Sequence, residues 1–134
     1  MTIDPNLISE AMQRVATDSA LSYPFVFEGS DKTPERPYIA LQVVRLKPQA
    51  VMLEPHDGVH PQFLQATVVT ETGKFATEGQ RIGGEIAALY PFGKRIEVGG
   101  GSHEITIKNI PFVESGFRDG FDWRTPVRID YEVE

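Results

Sequence analysis

Residues 123–134 read "WRTPVRIDYEVE", and from Val127 onward the stretch is two-faced: Val127, Ile129, Tyr131 and Val133 point one way, Arg128, Asp130, Glu132 and Glu134 the other. A strand repeats every two residues, so this alternation predicts a half-buried strand whose apolar side covers a core. The charged side then faces either bulk water or the inside of something built from several copies of the chain. The rest of the sequence supplies the strands and helices that the apolar side needs.

Immediately upstream, "PFVESGFRDGFD" (111–122) carries glycines and no period, and is expected to be loop. Its rings, with Trp123, make four large aromatic groups: Phe112, Phe117, Phe121 and Trp123. Such a set is expected to tuck under the sheet as a satellite core, the alternative being a contact with another protein. Before it, "KRIEV" and "HEITIKNI" flank "GGGS", which predicts a hairpin with Gly99 to Gly101 in the turn. A phosphate-cradling loop would need a helix after its glycines, and here a strand follows.

"ATEGQRIGGEIAALYP" (76–91) is the clearest helix, with Thr77 and Gln80 at capping-box spacing, Ile82, Ile86, Leu89 and Tyr90 on one face, and Pro91 as the stop. Interior glycines cost roughly 1 kcal/mol each relative to Ala. Gly79 and Gly83, one turn apart, therefore predict close approach of this helix to a sheet or to another helix. They are candidate packing positions between subunits, with packing inside the chain as the other reading.

"YIALQVVRL" is predicted as a strand from Tyr38 to about Lys47, and "FLQATVVTET" (63–72) as a second one pairing with it. Between them, residues 47–61 hold three prolines and one glycine with no period, a long exposed arm. At the N-terminus, Asp4 as N-cap, Pro5 at the first helical position and Ile8, Ala11, Met12, Val15 and Ala16 at helical spacing predict a helix to about residue 20. The connection that follows holds a short extended piece at Phe25 to Phe27. The expected fold is α/β of the α+β kind: one domain over residues 1–134, order α-β-β-α-β-β-β, with a mainly antiparallel or mixed sheet and two helices packed on it.

Composition removes several functions. There is no Cys, hence no disulfide, thiolate nucleophile or Cys-based zinc site. Thirteen Lys and Arg against 19 Asp and Glu give a formal charge of −6, and the cations are scattered, which argues against wrapping nucleic acid. The N-terminus has neither a basic segment nor a continuous apolar run, and no stretch is apolar enough to span a bilayer, so no membrane role is expected.

The grouping closest to a reactive site is "EPHDGVHP", where His56, Asp57 and His60 offer two imidazoles and a carboxylate to a divalent metal. Pro55, Gly58 and Pro61 forbid the helix on which a histidine pair four apart would converge, so plain loop residues are the expectation and a metal-dependent hydrolase the remote alternative. The serines show no nucleophile elbow. Glu114, Asp119 and Asp122 sit among glycines and read as solvated charges. No catalytic, cofactor or metal residue is expected.

The order of an N-terminal helix, "RPYIALQVVRL", a variable arm, "FLQATVVTETGKFATEGQRIGGEIAALYPFGKRI", "HEITIKNIPFV" and a terminal "WRTPVRIDYEV" resembles the phage tail terminator-like proteins of long-tailed phages and prophages. The resemblance runs from about Ile3 to the end, and its specificity lies in order, spacing and the "PV-x-I-x-Y" ending at Pro126 to Tyr131. It implies a structural virion protein, made in the bacterial host cytoplasm, that caps the tail tube as a ring, typically sixfold, at the head-proximal end. A neck or head-to-tail joining protein is the runner-up. The implied partners are further copies of itself, tail tube protein and a neck protein, with DNA only as passing cargo and a monomer allowed in free solution. On that reading Arg128, Asp130, Glu132 and Glu134 are candidate channel-facing charges. Val51, Met52 and Leu53, with His56 and Asp57, form a candidate partner-contact arm.

Overall fold

A computed structural model of the chain describes residues 5–27, 33–45, 62–73, 76–98 and 103–133. In chain order the elements are α1 (Pro5–Thr17), β1 (Phe25–Phe27), β2 (Tyr38–Arg45), β3 (Gln62–Glu71), α2 (Thr77–Ala87), β4 (Arg95–Val98), β5 (His103–Ile107), β6 (Phe112–Val113), β7 (Phe117–Asp119) and β8 (Asp122–Val133). One eight-stranded sheet runs β1-β2-β3-β8-β5-β4, with β6 and β7 also on β8. All pairings are antiparallel except β1 with β2, so the sheet is mixed and the class is α+β. The predicted order is preserved, with three short strands added. β1 forms where an extended piece is expected, and β6 and β7 form inside the predicted loop, because two or three residues are too few for a period to show.

β8 is the centre of the molecule. One edge pairs with the whole of β3, from Gln62 opposite Tyr131 to Glu71 opposite Asp122. The other edge is taken in turn by β7, β6 and β5. Pro126 sits inside this central strand, where the missing N–H would normally break a ladder. Its carbonyl accepts from the Glu114 N–H at 2.8 Å, just past the end of β6, so the missing N–H falls at the gap between β6 and β7 and not inside a continuous ladder.

Alternate residues of β8 bury completely or nearly so: Thr125, Val127, Ile129, Tyr131 and Val133. They meet Leu64, Ala66 and Val68 of β3, Ile39 and Leu41 of β2, and Ile105 and Ile107 of β5 on one face. Both helices close that face, α1 through Ile8, Met12 and Ala16 and α2 through Ile82 and Ile86. The buried Tyr90 hydroxyl donates to the Met12 carbonyl at 2.6 Å and ties the two helices together. Tyr131 likewise donates to Gln62 Oε1 at 2.8 Å, so neither phenol is buried without a partner.

Helix boundaries depart from expectation in two places. α1 ends at Thr17 rather than near residue 20, and Asp4 lies outside the described residues. α2 begins at Thr77 itself, with Ala76 in the N-cap position and no side-chain cap bond, so the capping box is not used. Ala76 has helical dihedrals, and a Thr one position inside the helix is misplaced to accept from the orphan N–H groups.

Candidate functional site

Arg128, Asp130 and Glu132 share the face of β8 opposite the helices, as the alternation predicts. The sheet adds partners that no single stretch of sequence reveals. Arg128 Nε donates to Asp130 Oδ1 at 2.9 Å while the guanidinium lies 4.1 Å from the Phe63 ring centroid, a cation–π contact with β3. Asn109 Nδ2 donates to the other Asp130 oxygen at 3.2 Å, and Lys108 Nζ lies 3.0 Å from Glu132. Farther along the same face Arg124 sits 2.9 Å from Asp119 and 3.6 Å from Asp122, and Arg36 reaches Asp122 at 3.2 Å and donates to the Phe121 carbonyl at 2.7 Å. The Arg124–Asp119 contact is an ion pair by distance, but its Nε is not aligned for a hydrogen bond.

Every described acid on β8 therefore has a cation beside it. The pairs are partly solvated, so each contributes little to stability. Their effect on the surface is larger, since each described acid of the face is locally compensated, beyond the one cation, Arg128, that the alternation itself supplies. Glu134 lies outside the described residues.

Gly79 and Gly83 are buried against the chain's own sheet. A Cβ on Gly79 would fall 2.3 Å from Thr125 Oγ1, and one on Gly83 would fall 3.0 Å from Val113 and 3.1 Å from Val127. The close approach these glycines predict is thus made to β8 and β6. Gly116 does the same for Trp123, whose Nε1 would be 2.2 Å from an added Cβ. Trp123 Nε1 and Thr125 Oγ1 are buried there without hydrogen-bond partners.

The aromatic set does not form the expected satellite core. Trp123 is half-buried, but Phe112, Phe117 and Phe121 are 62%, 50% and 82% exposed, and Ile110 beside them is 79% exposed. The reason is register: Phe112 and Phe117 pair with Arg128 and Arg124, which places both rings on the face away from the helices. Phe121 occupies the β7–β8 turn and has no strand to lie under.

Val51, Met52, Leu53, His56, Asp57 and His60 lie outside the described residues. Among the described residues no three His, Cys, Asp or Glu side chains are grouped so as to hold a metal ion. Among them, too, no helix is long and apolar enough to cross a membrane.

A family model described as "Phage tail terminator protein" matches residues 7–131. Among solved structures, one chain superposes with a TM-score of 0.78 at 16% identity, covering 99% of this chain and 97% of that one. At that identity the likeness shows a shared fold. No curated protein matches.

Proposed function

Because this chain belongs to the phage tail terminator protein family, a family of structural tail proteins, we propose that it caps the tail tube as a ring. The ring ends tube polymerisation at the head-proximal end and offers its other side to the neck. The observation that carries this reading is the match of residues 7–131, which takes in every strand that builds the sheet except the last two residues of β8. Copies in such a ring, six in the proposal, meet head to tail, one surface of each against a different surface of the next. Residues 1–134 act as one unit, and neither metal nor cofactor takes part.

Two further assignments belong to the proposal. Arg128, Asp130, Glu132 and Glu134 line the channel through which DNA passes, and the arm at 47–61 docks on tube or neck through Val51, Met52, Leu53, His56 and Asp57. The pairing of Asp130 with Arg128 and of Glu132 with Lys108 suits a wall that neither binds nor strongly repels phosphate.

The experiment is electron microscopy of purified tail-tube protein polymerised with and without this chain. Short tubes ending in an extra ring of density are expected. Tubes of unchanged length with bare ends, together with binding to portal-side proteins, would move the assignment to a neck component. Deleting residues 50–60 is expected to leave a folded chain that no longer caps, and unchanged capping would remove the arm from the proposal.

A further inference from the structure

We propose that the flank of the sheet formed by β6 and β7 is the surface on which the next copy of this chain docks, and that the copy presents its own β1 flank to it. The inference deepens the ring reading and rests on it.

Taking about 200 Å² for a phenylalanine ring, the exposed fractions of Phe112, Phe117 and Phe121 leave on the order of 400 Å² of aromatic surface in water, before Ile110 is counted. One side of a standard protein interface covers roughly 800 Å², a little over half of it apolar. The flank thus supplies about the apolar content that one stable contact needs. Scattered single apolar residues are ordinary on a surface, but three phenylalanines within ten positions of one flank are not.

An open strand edge invites another chain to pair with it, and soluble proteins blunt such edges with charge. β4, at one end of the sheet, is blunted in this way, with exposed Arg95 and Glu97. β6 and β7 have no strand beyond them among the described residues, and they carry Phe112 and Phe117. β1, at the opposite end of the sheet, is also open among the described residues and ends in the exposed Phe27.

A second copy of the chain is the occupant that fits both flanks at once. A head-to-tail contact needs two different, complementary surfaces on one molecule, and this sheet has two open apolar flanks separated by β2, β3 and β8. Arg118 in the middle of β7 is exposed and donates to the Gly120 carbonyl at 3.1 Å.

The absence of cysteine makes the test direct. Positions 27 and 117 lie four strand spacings apart within one chain, about 19 Å or more. A bis-maleimide of roughly half that reach therefore joins Phe27→Cys to Phe117→Cys only between copies. The full chain carrying both substitutions, incubated with tail-tube protein and separately alone at high concentration, is expected to give a ladder beyond the dimer. Either substitution by itself should give none. A Phe27→Cys/Phe112→Cys chain serves as a second pair if the first folds poorly by circular dichroism. Dimers from Phe117→Cys alone would show a two-fold contact, and attachment of position 117 to tube protein would show a tube contact; either overturns the proposal. Capped tubes without a ladder reject this interface and keep the ring. A ladder beside uncapped tubes keeps the interface and rejects the cap.

Discussion

Gly79 and Gly84 lie in the same helix and differ in what stands in front of them. At Gly79 a methyl group would collide with Thr125, which is fully buried and cannot swing away, while at Gly84 nothing lies within 4 Å. Gly79→Ala is therefore expected to destabilise by about 1–3 kcal/mol through overpacking, and Gly84→Ala to stabilise by up to about 1 kcal/mol through helix propensity. Urea unfolding of both variants checks the pair, and equal effects would mean that α2 does not approach β8 as closely as described. Tyr90 gives a second test at this scale. Burial pushes its phenol well above the ordinary 10.0, with the charge of Tyr131 adding and the nearby Ala16 backbone opposing. The folded state thus holds a proton that the unfolded chain releases near pH 10, so this contribution is full below that pH and falls as pH rises toward the folded value. Tyr90→Phe is expected to flatten the loss of stability above pH 10. At neutral pH it should cost about 1 kcal/mol, because the buried hydroxyl bond to the Met12 carbonyl is lost. An unchanged alkaline slope would refute the assignment.

At the scale of elements, the helix start offers the sharpest check. If Thr77 were the cap that its spacing with Gln80 suggests, replacing it with Ala would cost about 1 kcal/mol; since it makes no cap bond, the expected loss is below about 0.5 kcal/mol. Ile129→Ala in the centre of β8 should instead cost about 2–5 kcal/mol, because the side chain is wholly buried. The contrast shows what was legible in the sequence. Val127 to Val133 alternate for long enough to reveal the strand and its buried face, and Ile8, Met12 and Ala16 do the same for α1. Pairing of β2 with β3 follows from their adjacency, and the glycines at 79 and 83 announce a close approach without naming its target. What stays hidden depends on register between distant strands. Phe112 and Phe117 look like core material in isolation, and only their positions opposite Arg128 and Arg124 turn them outward. Arg128 stands on the same face as the acids of β8 already in the sequence, but Lys108 and Asn109 reach those acids only through the pairing of β5 with β8.

For the whole molecule, composition and surface make opposite demands. Each copy carries a formal charge of −6, so bringing copies together works against like-charge repulsion. The proposed contact is mainly apolar, and the charges of the outer sheet face are already satisfied within the chain, so few ion pairs are left to form across it. Salt then acts chiefly on the repulsion: raising ionic strength from about 0.01 to about 0.15 M shortens the screening length from roughly 30 to roughly 8 Å. Association of copies is expected to strengthen over that range, read as a rising weight-average mass in sedimentation equilibrium at fixed protein concentration. Phe112→Ser, Phe117→Ser and Phe121→Ser combined should abolish the rise while keeping a cooperative urea transition, its free energy lowered by no more than about 5 kcal/mol, because the three rings are half or more exposed in the single chain. Association that instead weakens with salt would mean that intermolecular ion pairs hold the ring. The partners of Arg118 and of the outer-face cations would then have to be sought on the neighbouring copy.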